Sequence, residues 1–301
     1  MPLDSVLQSL LTSVPLLAER PTASWQVTPL AGMTNRSWRL NSGDRDLVLR
    51  APGVSSDRYL SRAQEFHNVA VAAALGIAPA LLYADAATGV TLQPFLADAR
   101  ALTPEDFALP EIARKVGVLL ARLHRSGRAF IGTMQAFPII DTYLGLAADH
   151  RLRRFRARGE VIRRALEGHP VALVPSHIDA NPANFLLRGD GTLVLIDWEY
   201  SAMCEPAWDI GSVTMEGRMG PEAVAAFFAG YGWHPSKAEE SRLWLMRAAL
   251  HLVAGSWTFA EIAGGNQAEG LAALLERFLT GFEQMLDDPA LEGHIAAVTA
   301  G

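Results

Sequence analysis

Cysteine is nearly missing. Cys204 stands alone in 301 residues, which excludes an internal disulfide and any multi-cysteine zinc or iron–sulfur site and points to a reducing compartment. Lysine is almost as scarce: of 26 basic residues only Lys115 and Lys237 are lysine. Cationic chemistry in this chain is therefore guanidinium chemistry, always charged and able to grip oxyanions in pairs. Long apolar runs are absent, since no segment reaches the roughly 18 uninterrupted apolar residues of a spanning helix. Asp4, Glu19 and Arg20 break up a secretory signal, so a cytoplasmic protein without membrane attachment is expected. Positive charge is in deficit as well. A net charge of −6 argues against broad binding to nucleic acid or to an anionic membrane.

What is present is globular: half the residues are apolar and 19% are charged. The length fits two domains of ordinary size, and the texture divides in the same way. Residues 1–97 alternate in short runs around one helix, whereas 98–301 are mostly long apolar-periodic segments. Trp25–Leu30, Ser37–Leu40 and Asp46–Arg50 read as a three-strand antiparallel meander, with further strands at Ala80–Ala84 and Thr91–Phe95. Arg62–Leu75 reads as a helix stopped by Gly76, with Phe66, Val69, Ala70 and Ala73 on its buried face. Thr103-Pro104-Glu105-Asp106 opens the helical part with an N-cap, a proline at the first position and acids in the first turn. Ile112, Val116, Leu119, Leu120 and Leu123 form a stripe at helical spacing, and Ser236 to Glu239 has the pattern of a capping box. Seven arginines against one glutamate in 150–164 read as a solvated helix face.

The chemistry concentrates in one stretch. His177-Ile178-Asp179-Ala180-Asn181-Pro182-Ala183-Asn184 is a polar loop, and apolar strands on either side of Asp190-Gly191 carry the chain to Asp197. That dipeptide favours a hairpin, which pairs the strands and returns Asp197 close to Asn184. Asn and Asp oxygens suit Mg²⁺, which takes one or two protein oxygens and keeps other positions for water and phosphate. Asp179 is then free to face a nucleophile. Phosphoryl transfer asks for that division, metal on the phosphates and an acceptor for the hydroxyl proton. Turn-capping Asp and Asn residues in a solvated loop are the plain alternative.

These residues resemble the catalytic loop and metal-binding segment of the aminoglycoside phosphotransferase and choline kinase superfamily. The resemblance implies an α+β, bilobal protein-kinase-like fold, with a small antiparallel-sheet nucleotide-binding lobe (1–97) and a larger, mainly helical catalytic lobe (98–301). It also implies ATP and Mg²⁺ as cofactors. Asp179 falls on the catalytic base, Asn184 and Asp197 on the metal ligands, and His177 on the loop's structural histidine. Asp209 falls on the acid that braces the loop. Gly32-Met33-Thr34-Asn35 and Leu47-Val48-Leu49-Arg50 are similar to the phosphate hairpin and cation strand of choline kinases. Gly32, Thr34, Asn35 and Arg50 are thus nucleotide-site candidates, with Glu65 pairing the cation and Gln93 in the strap that receives adenine. The Asp57-Arg58 to Ala78-Pro79 run and Arg122-Leu123-His124 match the same branch.

On the acceptor side, Asp197-Trp198-Glu199-Tyr200 resembles the choline kinase continuation. Glu216 lies seven residues after Asp209, and Trp257 keeps one of two expected aromatic walls, with Ala254 in place of the other. The implied activity is phosphorylation of a small cationic alcohol such as choline or ethanolamine, by a monomer or a homodimer. Acids such as Glu199, Glu205 and Glu216 suit any cationic acceptor, so an aminoglycoside, thiamine or another metabolite stays open. The loop's Asn181-Pro182 is closer to the aminoglycoside kinases. A nucleotide-binding pseudokinase is disfavoured by the presence of Asp179, Asn184 and Asp197 together.

Overall fold

The computed structural model describes residues 5–30, 32, 35–53, 60–146 and 149–300. The expected meander forms: β1 (Gln26–Leu30), β2 (Asn35–Asn41) and β3 (Asp46–Pro52) pair antiparallel, with Val27 opposite Leu40 and Leu40 opposite Leu47. Helix α3 (Arg62–Ala74) follows, and then β4 (Tyr83–Asp85) and β5 (Val90–Pro94) complete a sheet of order β1-β2-β3-β5-β4. Alternation along β3 turns Leu47, Leu49 and Ala51 inward. That face is covered by two helices the sequence reading did not identify, α1 (Ser5–Ser13) and α2 (Pro15–Ala18), through Leu7, Leu11, Val14 and Leu17. Arg50, out of phase with the leucines, is left for the other face.

The strand expected at 80–84 shrinks to Tyr83–Asp85. Asp85 spends its carboxylate on the following turn, accepting from Ala87 N at 2.9 Å and Thr88 Oγ1 at 2.7 Å. Helix α3 is also rotated from the expected face: Arg62, Glu65, Asn68, Val69 and Ala72 are buried, Ala70 is exposed, and Phe66 and Ala73 are half-buried. Polar side chains occupy the inner face because they serve the site described below.

The chain then becomes mainly helical. It runs through β6 (Ala99–Ala101), α4 (Pro104–Phe107), α5 (Pro110–His124), α6 (Ala136–Leu146), α7 (His150–Arg158), α8 (Glu160–Gly168) and β7 (Val174–Ser176). Next come β8 (Phe185–Arg188), β9 (Leu193–Leu195), β10 (Ala202–Cys204), α9 (Pro206–Glu216) and α10 (Pro221–Tyr231). Last are α11 (Lys237–Ala263), α12 (Leu271–Leu286) and α13 (Leu291–Ala300). The stripe on α5 is buried as expected, and α5 lies unusually close to α10 because both carry glycine at the crossing. A Cβ on Gly117 would sit 2.3 Å from Phe227 O, and one on Gly230 2.1 Å from Arg114 O. In the arginine-rich stretch, Arg156 pairs with Asp141 at 2.7 Å, Arg163 with Glu167 at 2.6 Å and Arg151 with Glu276 at 2.8 Å, the pattern of an ion-paired outer face.

Both capping boxes close. Thr103 Oγ1 accepts from Asp106 N at 3.3 Å while Asp106 accepts from Thr103 N at 2.9 Å, and Ser236 and Glu239 repeat the arrangement on α11. Arg100 is held on the same carboxylate at 2.7 Å, and its hydrogen bonds are the main cause that brings Asp106 down to about 2. A carboxylate whose pKa is depressed on folding stabilises the fold above its unfolded value and loses that contribution as pH falls toward the folded one. Asp106→Asn is therefore expected to lower the urea midpoint at pH 7, by about 1 kcal/mol in free energy. The gap from wild type should narrow as pH drops from about 4 toward 2; a gap of constant size across that range contradicts the assignment.

Candidate active site

The loop between β7 and β8 owes its shape to one buried carboxylate. Asp209, in the first turn of α9, accepts from His177 N at 2.7 Å and from Ile178 N at 2.8 Å. His124, at the end of α5, adds its Nε2 at 3.1 Å and is itself held by the Tyr231 hydroxyl at 2.8 Å. These bonds favour the ionised form and hold the Asp209 pKa below its usual value, although burial alone pushes it up. Trp208 Nε1 donates to Ile178 O at 2.8 Å. So braced, Ile178 adopts a φ of 74°, a left-handed conformation that a β-branched residue avoids elsewhere. His177 is fully buried, donates from Nε2 to Ile196 O at 2.9 Å and packs edge-on to Trp198. Burial lowers its pKa and keeps the ring neutral.

Asp179 follows directly. Asn181 Nδ2 donates to its Oδ1 at 3.0 Å, and Asn184 Nδ2 donates to its Oδ2 at 2.9 Å and to its backbone oxygen at 2.8 Å. Burial first, and then the charge of Asp197, raise the Asp179 carboxyl to about 7. The β8–β9 hairpin forms around Gly191, whose φ is 80°, and Ile196 N donates to Asn184 O at 3.0 Å. Asn184 and Asp197 are thereby neighbours, as the hairpin reading required.

The donor set fits Mg²⁺. Because Asn184 uses its amide nitrogen on Asp179, its Oδ1 has no hydrogen bond among the described residues. Asp197 keeps about a third of its side chain exposed. Two oxygen donors with room for water and phosphate are what this ion asks of a protein. Asp197 has a φ of 64°, a second non-glycine residue in left-handed backbone.

The other face of β3 meets this hairpin through ion pairs. Arg50 binds Glu65 of α3 and reaches Asp197 Oδ1 at 2.7 Å. Arg62 lies 2.9 Å from Glu65 and 3.2 Å from Glu199, and Asn35 Nδ2 donates to Glu199 at 2.8 Å. Glu199, only 3% exposed, is thus a strut between the sheet and the helical region, its carboxylate already engaged by Arg62 and Asn35. Burial, and next the Asp197 charge, raise its pKa. Asn68 completes the seam, donating to Ser201 O at 2.8 Å and accepting from Ile131 N at 2.8 Å. Sequence reasoning missed Arg62 and Asn68; the spacing of Arg62 and Glu65 one helical turn apart was the available signal.

The remaining candidates scatter. Tyr200 and Trp257 meet, indole nitrogen to hydroxyl oxygen, at 2.9 Å. Glu216 instead pairs with Arg277 of α12 at 2.8 Å, and Glu205 with Arg242 at 2.5 Å, so neither acid is free for a cation. Gly32 is exposed, and a Cβ there would crowd Asn35 O at 3.0 Å. Gln93 sits half-buried on β5 opposite Val48. Thr34 and the Asp57-Arg58 pair lie outside the described residues. Beside Tyr200, a cavity of about 70 Å³ is bounded by Gln64, Met134, Ile139, Tyr143 and Glu199.

Residues 26–242 match the phosphotransferase enzyme family. Protein LicA of Haemophilus influenzae is 30% identical over 206 residues, covering 65% of this chain and 59% of LicA, so the chain spans about three fifths of that relative. Among solved structures, a choline/ethanolamine kinase family protein from Mesorhizobium loti shares 28% identity with a TM-score of 0.83, covering 98% of this chain and 99% of that one. The choline kinase LicA from Streptococcus pneumoniae shares 20% identity with a TM-score of 0.81, covering 93% and 98%, a likeness of fold.

Replacing Asp209 by asparagine exchanges one of its acceptors for a donor facing a backbone N–H. The expected loss is about 2–4 kcal/mol of unfolding free energy, read by denaturant titration, because hydrogen bonds to a buried charge are the strong ones. An unchanged midpoint would remove the bracing role.

Proposed function

The chain belongs to the phosphotransferase enzyme family, and we propose that it is an ATP- and Mg²⁺-dependent kinase for the hydroxyl of a small cationic amino alcohol, choline or ethanolamine. One observation carries the reading: Asn184 is bonded to the Asp179 carboxylate on one side and adjoins Asp197 on the other. Residues 1–97 then act as the nucleotide lobe and 98–301 as the catalytic lobe. Asn35, Arg50 and the backbone beyond Gln93 receive the nucleotide from the sheet side, with Glu65 fixing the Arg50 guanidinium.

Asp179 orients the acceptor hydroxyl and takes its proton as the oxygen attacks the terminal phosphorus and the bond to the bridging oxygen breaks, leaving ADP. A carboxyl raised to about 7 is a stronger base than an ordinary aspartate, and the two asparagine amides hold it in place. Asn184 Oδ1 and Asp197 would hold Mg²⁺, which would supply charge neutralisation on the phosphates. Asp209 and His177 touch none of the reacting atoms and act by shaping the loop. The small cavity supports an amino alcohol over an aminoglycoside. Tyr143 and Tyr200 are among its lining residues, and the space suits one small ammonium head group and no linked rings.

The test is ADP release from ATP and Mg²⁺ with choline, ethanolamine, thiamine and an aminoglycoside as acceptors. Choline or ethanolamine is expected to turn over best, and Asp179→Asn to lower kcat by about 10²–10⁴-fold. Both amino alcohols inert, or an Asp179→Asn variant at wild-type rate, would overturn the proposal.

A further inference from the structure

Away from the ion cluster, an open groove of about 670 Å³ lies between α11 and α12, within the range of small-molecule sites. Trp244, Arg247 and His251 line it from α11, and Arg277, Thr280 and Gln284 from α12. Gly281 brings the helices together there, since a Cβ on it would lie 2.4 Å from His251 Cε1. None of the lining residues belongs to the catalytic network. Trp257 lies six residues beyond His251, about 9 Å along α11 and roughly a third of a turn around from the groove-lining residues, taking about 1.5 Å and 100° per residue.

The charges in the groove do not balance. Its lining acid is already engaged, Glu276 by Arg151 at 2.8 Å, and Arg277 is held by Glu216 at 2.8 Å. Arg247 makes no ion pair or hydrogen bond among the described residues, and its Nε is shut off from solvent without an acceptor. His251 Nδ1 is in the same condition. Burial, with Arg247 and Arg277 adding to it, pushes the His251 pKa down to about 4, so at neutral pH the ring is uncharged and able to donate one hydrogen bond. One unmatched guanidinium and a neutral imidazole call for a single oxyanion, and the planar fork of arginine matches a carboxylate in pairs. Beside them the wall is apolar: the Trp244 indole, stacked on His294 with centroids 4.5 Å apart, and Met285.

We propose that this groove is a second ligand site, distinct from the acceptor pocket, for a small organic carboxylate with an aromatic or branched aliphatic body. The carboxylate pairs with Arg247 and accepts from His251, and the body lies against Trp244.

Calorimetric titration of the full chain at neutral pH with benzoate, acetate and inorganic phosphate tests it, independently of which acceptor the enzyme uses. Benzoate is expected to bind saturably, one per chain and at least tenfold more tightly than acetate. Arg247→Gln should weaken it tenfold or more. So should Thr280→Trp, which fills the groove from an exposed position where the fold has nothing to lose. No saturable benzoate binding, no preference over acetate, or binding that either variant leaves unchanged overturns the site. Phosphate binding lost in Arg247→Gln with benzoate silent overturns the carboxylate class.

Discussion

Arg50 and Arg62 are packed against Glu65, Asp197 and Glu199 in one ion-paired cluster. Charges removed from water are tolerated only when each has close partners, and removing one member strands the rest. The pairs also cross the molecule: Arg50 to Asp197, Arg62 to Glu199 and Asn35 to Glu199 join the sheet with its helix to the hairpin of the helical region. Holding the parts in register and bringing acids close to Asp197 are therefore consequences of one arrangement. That closeness acts locally: burial first, and then the Asp197 charge, raise the pKa of both Asp179 and Glu199.

Strain collects at the same place. Ile178 and Asp197 both occupy left-handed backbone, which costs on the order of 1–3 kcal/mol at a non-glycine residue and persists only where the surroundings over-determine it. Around Ile178 they do: both carboxylate oxygens of Asp209 hold successive N–H groups, and Trp208 holds the carbonyl. His177 fastens the loop to the strand that ends in Asp197. Strain at Ile178 and Asp197 thus helps fix where the Asp179 and Asp197 carboxylates lie, the two acids of the proposed reaction.

What the sequence made legible was local. The Asp190-Gly191 turn, the alternating leucines of β3, the capping boxes and the stripe of α5 each depend on neighbours within a few positions, and each appears where its pattern predicts. Side-chain roles set by distant partners were not legible. Glu199 looked like an acceptor-side acid until Arg62, 137 positions earlier, took it, and Glu216 until Arg277, 61 positions later, did the same. The face of α3 was misread for a related reason. An apolar-moment argument assumes that hydrophobic residues point inward, and here Arg62, Glu65 and Asn68 point inward to meet groups from other elements. Helices α1 and α2 went unread because their short apolar runs lack the length that periodicity needs.

The proposed role of Asp197 at the centre of this cluster is most directly tested by calorimetric binding of ATP with and without Mg²⁺ to the wild-type chain and to Asp197→Asn. The account predicts that Mg²⁺ tightens nucleotide binding to the wild type at least tenfold and leaves binding to the variant nearly unchanged. Equal tightening in both proteins would contradict it.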